Sequence, residues 1–325
     1  GGDDIHYGIF HTGKEDLREC SENTDNFMAK LAQEVTSLGK PNTKVLDLGS
    51  GKGGASRFLA KKFGCAVTCL NLGARQNEYN LKQAAEAGIG HLIKVVTGSF
   101  NDALPFEDNT FDLVWSQEAL CHASDQTFVM GEAKRVLKPG GGIVFCDIMQ
   151  GDGGGDVTSF TGQNATAQLA TPQMYRNAMS ANGVRVAKYE DLTPHLTQYF
   201  QLMLDVVNTK RPEMEAAGVS KDRLDAYEKD LATRFGRVEK GEFAWGVFLA
   251  VTPNPAASTL VVGMGPVGAH VAIQMCRKGV SGVCCKARPS TPAGVRAGLE
   301  ACGAEVHLGW EGLQVVNHGA KVQKI

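Results

Sequence analysis

Apolar positions along this chain fall into short continuous runs that alternate with stretches of helical spacing. Lys44–Gly49, Ala66–Leu72, His91–Val96, Phe111–Ser116 and Ile143–Met149 have the length and apolar content of strands. Between them, Ser56–Phe63, Gln76–Ala87 and Gln126–Leu137 carry apolar residues at helical intervals. Gly88 closes the second of these helices, and Lys138-Pro139-Gly140-Gly141-Gly142 predicts a sharp stop after the third. Upstream, residues 15–38 predict a helix, with Leu17, Phe27, Leu31, Val35 and Leu38 at spaced positions. Apolar strands without alternation, each separated by a helix, predict a parallel sheet covered on both faces.

Past Met149 the pattern changes. A glycine-rich loop, Gly151–Asp156, leads to a helix at Pro172–Ala181 and a strand at Val184–Glu190. Two long amphipathic helices fit 194–209 and 221–235, and Phe243–Val251 predicts a closing strand. The fold class is therefore α/β, a seven-stranded Rossmann-like sheet with a helical cap inserted after its fifth and sixth strands. Pro253-Asn254-Pro255-Ala256-Ala257 disfavours regular structure, because each proline lacks an amide donor and restricts the residue before it. The expected organisation is a domain over 1–252, a linker over 253–258 and a partial βαβ unit over 259–325.

Composition narrows the partners. Hydrophobic residues make up 43% of the 325 positions, enough for a sizeable core. The formal net charge is -2 and no basic stripe appears, which argues against nucleic acid as the main partner. No apolar run spans a bilayer and no signal peptide is evident, so no membrane association is expected. The nine cysteines include no Cys-x-x-Cys pair, which suits packed thiols in a reducing, cytoplasmic setting without a metal. The sequence begins at Gly1 and not at Met, as a piece of a longer product would.

The most informative stretch is Val45-Leu46-Asp47-Leu48-Gly49-Ser50-Gly51-Lys52-Gly53-Gly54. It sets an acid at a strand end and glycines at alternate positions before a helix. Gly49, Gly51 and Gly53 let the backbone turn tightly near a ligand, and amides at the helix N-terminus favour an anionic group. Asp47 would accept from an ammonium. The methionine part of S-adenosyl-L-methionine carries both groups. No Gly-Lys-Ser/Thr follows at the spacing of a phosphate loop. Further along, Asn71 and Leu72 end the second strand, where a ribose contact falls, with Gln76 just beyond. Gly98, Ser99 and Phe100 end the third strand, where adenine is expected, and Ser116 ends the fourth. Leu104–Val114 and Arg135–Gly141 also resemble the corresponding stretches of small-molecule methyltransferases.

A narrower resemblance covers residues 4 to about 250. Asp4-Ile5-His6-Tyr7-Gly8-Ile9-Phe10, Asp16-Leu17-Arg18-Glu19, Cys69-Leu70-Asn71-Leu72 with Gln76-Asn77, Gly98-Ser99-Phe100 and Trp115-Ser116-Gln117-Glu118-Ala119 with His122 carry it. Tyr175-Arg176 and Trp245-Gly246 add to it. The chain resembles sarcosine/dimethylglycine N-methyltransferases, which implies N-methylation of a small amine to glycine betaine. Asn71 in place of the usual acid is a feature of that family. Phosphoethanolamine, sugar, sterol or thiol methyltransferases share parts of the pattern and remain alternatives.

Methyl transfer to an amine asks for a nucleophile held close, aligned and dry. Gln117 follows the fourth strand and is the candidate positioning group. His122 could accept a proton, orient substrate, or cap the helix near Ser124 and Asp125. Arg176 suits a substrate carboxylate through its bidentate fork, or is a solvated helix arginine. Tyr7, Trp115, Tyr175, Tyr199 and Trp245 are candidates for the aromatic face that a methylated ammonium prefers. Trp115 and Trp245 read as core residues.

After the linker, Thr259–His270 contains Gly263-Met264-Gly265-Pro266-Val267-Gly268, a G-x-G-x-x-G turn between a strand and a helix. The next strand, Val283–Arg288, ends in basic residues. This resembles the start of an NADP-dependent reductase. It is too short for two βαβαβ halves, so a non-binding fragment is the opposing reading. The sequence leaves the oligomeric state open.

Overall fold

In the computed structural model, residues 6–157 and 169–254 are described, together with the backbone of three short strands further on. The first unit holds a seven-stranded sheet: β1 (Lys44–Leu48), β2 (Ala66–Asn71), β3 (Ile93–Thr97), β4 (Phe111–Gln117), β5 (Leu137–Gln150), β6 (Arg185–Asp191) and β7 (Phe243–Val251). Its order is β3-β2-β1-β4-β5-β7-β6. The first five strands are parallel, while β7 runs antiparallel between β5 and β6. The helices are α1 (Leu17–Val35), α2 (Gly54–Phe63), α3 (Ala74–Glu86), α4 (Gln126–Val136), α5 (Pro172–Ala181), α6 (Thr193–Ala216) and α7 (Lys221–Glu239).

Two cores lie on the two faces of this sheet. Met28, Leu31, Leu59, Ala84, Phe200, Leu231 and Trp245 belong to one, which is covered by α1, α2, α3, α6 and α7. Val129, Met130, Phe145, Tyr175, Met179 and Phe248 belong to the other, covered by α4 and α5. Parallel strands buried on both sides need apolar residues at every position, which explains the absence of alternation in the sequence.

Several boundaries differ from the expectations, each for a local reason. The proline–glycine stretch does not separate α4 from its strand: β5 begins at Leu137, directly after the helix. Leu137 pairs with Phe111 and Gly142 with Leu113, so the residues between are absorbed as an irregularity in the ladder. Gly140 sits there at φ +78°, which a side chain would disfavour. α6 runs to Ala216 with Pro212 inside it, past the expected end at 209. α7 continues to Glu239. Pairing also extends beyond β7, because Thr252 N donates to Gly141 O and Gly140 N to Pro253 O. The pairing thus reaches Pro253, the first residue of the expected linker.

In the C-terminal part, β8 (Leu260–Val261), β9 (Cys284–Ala287) and β10 (Glu305–Leu308) form a parallel sheet of order β10-β9-β8. The glycine turn at 263–268 and Arg288 lie outside the described residues, as do Asp4 and Ile5. Among the described residues no helix is long and apolar enough to cross a membrane.

Candidate active site

The C-terminal ends of β1 and β4 open onto a cleft lined by His6, Asp47, Gly49, Ser50, Gly51, Lys52, Gln117 and Glu118 among others. Its cofactor end follows from β1 and the turn after it. Asp47 is 3% exposed, and its carboxylate accepts from the Ser56 hydroxyl at the start of α2. Gly49 has φ +76°, and a Cβ there would fall 2.3 Å from that of Ala119. Only glycine fits that turn. Gly51 is also left-handed, at φ +52°, and lines the cleft. Gly53 plays another part. It is the N-cap of α2, and a Cβ there would meet the Asn80 amide at 2.0 Å, so it serves packing of the turn.

Around the end of β2, the Asn71 amide donates to Gln76 Oε1 at 3.1 Å and Asn77 Oδ1 at 3.0 Å. What Asn71 can offer a ribose hydroxyl is therefore its Oδ1 acceptor. Leu72, next to it, is 68% exposed, an apolar surface suited to cover by a flat base. Gly98 N donates to Asn71 O at 3.3 Å, Ser99 Oγ accepts from Asn101 N at 3.0 Å, and Phe100 lies against the Gly49 turn. Ser116 is buried, and its hydroxyl donates to Leu48 O at 2.8 Å, tying β4 to β1. It does not line the cleft. The glycine cradle, the buried acid and the exposed Leu72 together fit S-adenosylmethionine. Gly49 N and Ser50 N donate to Leu70 O, so Asp47 and the turn at Gly51 would hold its methionine end, with Asn71 and Leu72 toward the nucleoside.

Gln117 sits at the other end of the cleft, with both halves of its amide engaged. Its Nε2 donates to Asp25 Oδ1 at 2.8 Å, and its Oε1 accepts from Trp115 Nε1 at 2.9 Å. Beside it, Glu118 holds φ +48°, a conformation uncommon for a side-chain-bearing residue. Its Oε1 accepts from Trp245 Nε1 at 2.6 Å and its Oε2 from Ile148 N at 2.9 Å. Burial pushes the Glu118 carboxyl up to about 7, against the pull of Trp245 and His6. The Trp245 indole also packs edge-on against Tyr7, at 5.9 Å between ring centroids. Tyr7 further meets Tyr199 at 5.1 Å and Phe200 at 5.7 Å. The Tyr7 hydroxyl is held well above its usual range, by burial first and then by Glu118.

The other expected residues stand elsewhere. Tyr175 is fully buried in the core beneath α4 and α5, on the opposite face from Tyr7. Its hydroxyl donates to Asp147 Oδ2 at 2.5 Å. Arg176 lays its guanidinium over Tyr189 at 4.8 Å and Phe248 at 5.5 Å, on that same face. Neither joins the Tyr7–Tyr199 group. His122 is exposed at the end of a short 3₁₀ turn, and Asp125, not His122, caps α4 through Thr127 N and Phe128 N. His122 is absent from the cleft lining, and desolvation lowers its pKa.

Three residues of this region escaped the sequence reading: His6, Asp25 and Glu118. One signal was available. The inner face of α1 is buried yet polar at helical spacing, with Ser21, Thr24 and Asp25 before Met28. A buried aspartate there needs a partner, and Gln117 is one.

This cleft on this sheet defines an S-adenosylmethionine-dependent methyltransferase, and residues 46–145 match the methyltransferase domain family. A sarcosine/dimethylglycine N-methyltransferase of Halorhodospira halochloris is 34% identical over 250 residues, covering 76% of this chain and 88% of that protein. The chain belongs to that sarcosine/dimethylglycine N-methyltransferase family. A glycine/sarcosine/dimethylglycine N-methyltransferase of Actinopolyspora halophila is 37% identical over 253 residues, 77% of this chain; the chain spans 43% of that longer protein. Among solved structures, a Galdieria sulphuraria protein described as a sarcosine dimethylglycine methyltransferase matches with a TM-score of 0.71 and 29% identity, over 77% of this chain and 94% of that one.

Proposed function

We propose that this chain methylates the nitrogen of sarcosine and dimethylglycine, ending at glycine betaine. Bound S-adenosylmethionine supplies an electrophilic methyl group on a sulfonium. The residues of the chain bind, align and enclose the amine that receives it. Asp47 and the glycine turn fix the donor at one end of the cleft. Gln117, locked between Asp25 and Trp115, forms a rigid wall at the join. Tyr7, Tyr199 and Trp245 present aromatic rings to a nitrogen that gains methyl groups and positive charge. Glu118 puts a carboxylate beside the same rings.

The observation that carries this reading is the bond between Glu118 and Trp245. It joins the cofactor cleft to the aromatic group, so a cation formed at the join has an acid and π faces around it. The amine nitrogen gains positive charge on methylation, and fixed groups of the chain aimed at that nitrogen would favour the transition state. The test is product analysis by mass spectrometry with methyl-labelled cofactor. Sarcosine and dimethylglycine should both give labelled betaine, and phosphoethanolamine should give no product. Methylation of phosphoethanolamine, a sugar or a thiol in preference to these amines would overturn the substrate assignment.

A further inference from the structure

The segment over residues 6–10 is a strap fastened on two sides. Toward α1, Ile9 N donates to Cys20 O at 2.9 Å, Thr24 Oγ1 to Tyr7 O at 3.0 Å and Asn23 Nδ2 to Ile9 O at 3.0 Å. Gly8 lies so close to that helix that a Cβ would sit 2.1 Å from Cys20 Sγ. Toward α6, Phe10 N donates to His195 Nδ1 at 3.2 Å, and the Phe10 and His195 rings stack with centroids 6.4 Å apart. One helical turn beyond His195, Tyr199 meets the Tyr7 ring edge-on at 5.1 Å. Positions 195 and 199 share a face of α6. The His195 bond and the Tyr7–Tyr199 contact therefore hold one strap against one helix face.

That bond dictates the state of the imidazole. A backbone N–H only donates, so Nδ1 presents a lone pair and the ring carries its one proton on Nε2. A proton on Nδ1 would leave the Phe10 N–H without its acceptor, at a residue that is 8% exposed. His195 stands in the first turn of α6, which begins at Thr193, and the positive end of a helix opposes an imidazolium. Burial lowers the pKa of the ring from its ordinary 6.5. The ionisable groups felt there come from the strap side: His11 acts in the same direction as burial, and Glu15, just ahead of α1, acts against it. On α6 itself, a hydrogen bond with the Gln198 side chain also acts against it.

We propose that neutral His195 is a positioning residue for the amine: through the Phe10 amide it holds the strap, and with it the Tyr7 ring, against α6, and a proton on Nδ1 releases that hold. The effect on turnover rests on the amine reading above, while the fastening itself is measured without substrate. With the bond gone, the strap stays on α1 through Cys20, Asn23 and Thr24. Its hold on α6 falls to ring contacts such as Tyr7–Tyr199, and the aromatic group loses its fixed spacing. The sign follows from the lowered pKa. The fastened strap binds one proton fewer than the loosened one, in which His195 titrates nearer its ordinary value. Fastening is therefore present above that value and is lost as pH falls below it, by at most about tenfold per pH unit.

The test compares two variants with the unmodified full chain. His195→Asn keeps an acceptor near the place of Nδ1 and takes no proton; His195→Phe keeps the stack and has no acceptor. Hydrogen exchange at the Phe10 amide, read by NMR and corrected for the intrinsic rate, should rise about fivefold or more from about pH 7.5 to 5.5 in the unmodified protein. It should stay within about twofold in His195→Asn and be fast at both pH values in His195→Phe. For dimethylglycine, kcat/KM of His195→Asn relative to the unmodified enzyme should be near one at about pH 7.5 and about threefold or more above one at about pH 5.5. Protonation of the amine itself cancels from that ratio. His195→Phe should raise KM about threefold at the higher pH, with kcat little changed. If Phe10 exchange ignores pH, or follows pH equally in His195→Asn, this inference falls and the substrate reading stands. The positioning role also falls if the ratio stays near one at both pH values. If the unmodified enzyme methylates neither sarcosine nor dimethylglycine, the substrate reading falls and takes the positioning role with it.

Discussion

Trp245 Nε1 donates to Glu118 Oε1 at 2.6 Å, linking the first turns of the closing strand to the end of the fourth across 127 positions of sequence. The bond holds a carboxylate that burial keeps protonated to about pH 7, well above the usual carboxylate range. In the unfolded chain the same group ionises near 4.5. The folded state therefore binds the extra proton between about 4.5 and 7, and stability falls as pH rises through that window.

Glu118→Gln should remove this slope. Thermal melts from pH 4.5 to 8 should show the variant gaining on the unmodified protein as pH rises, by at most about 3 kcal/mol, then levelling above pH 7. The amide oxygen still accepts from Trp245, while the bond from Ile148 N is lost, a cost that does not vary with pH. Methylation should nevertheless fall by about tenfold or more, because a neutral amide no longer faces the forming cation. Parallel melting profiles for the two proteins would contradict the raised Glu118 value.

The Tyr7 ring, rather than its hydroxyl, should matter for the amine. Tyr7→Phe keeps the edge contacts to Tyr199, Phe200 and Trp245 and should leave kcat/KM within about threefold. Tyr7→Ala opens the wall and should raise KM for dimethylglycine by about tenfold, the worth of one cation–π contact of 1–2 kcal/mol. Steady-state kinetics on both variants separates the two contributions.

Tyr175 and Arg176 should act on stability and not on substrate. Tyr175→Phe takes a donor from the buried Asp147 and should cost about 1–3 kcal/mol in denaturant unfolding. Arg176→Ala loses stacking on Tyr189 and Phe248 and should cost less than about 2 kcal/mol. Its KM for dimethylglycine should stay within twofold. A large rise in that KM would return Arg176 to the carboxylate role first considered for it.

The strands and the cofactor turn were legible because local sequence dictates them. Unbroken apolar runs mark strands buried on both faces, and Asp47 with the alternate glycines marks the turn. Lys138–Gly142 does mark the end of α4, at Val136, but glycines that follow a helix also tolerate an irregular ladder, so β5 starts at Leu137 and not at the expected Ile143. The expected end of α6 at 209 fell short because the helix carries on through Pro212. The amine end was harder for a different reason. His6, Asp25, Glu118 and Trp245 come from four separated elements, and their pairing depends on which helices cover which face. Tyr175 and Arg176 follow the loop after β5, as a substrate helix would, yet α5 packs on the side away from Tyr7. No spacing in the sequence states that choice.

The antiparallel insertion of β7 has a consequence for how such enzymes diversify. β6 ends at Asp191, opposite Gly246, and β7 begins at Phe243, opposite Gln150. The α6–α7 hairpin therefore leaves and re-enters the sheet at one rim, the rim that holds the cleft. A segment with both ends at one rim behaves as a cassette. Chimeras that exchange 192–242 between relatives should keep their donor-binding half intact, while the range of acceptors they accommodate travels with the transplanted piece.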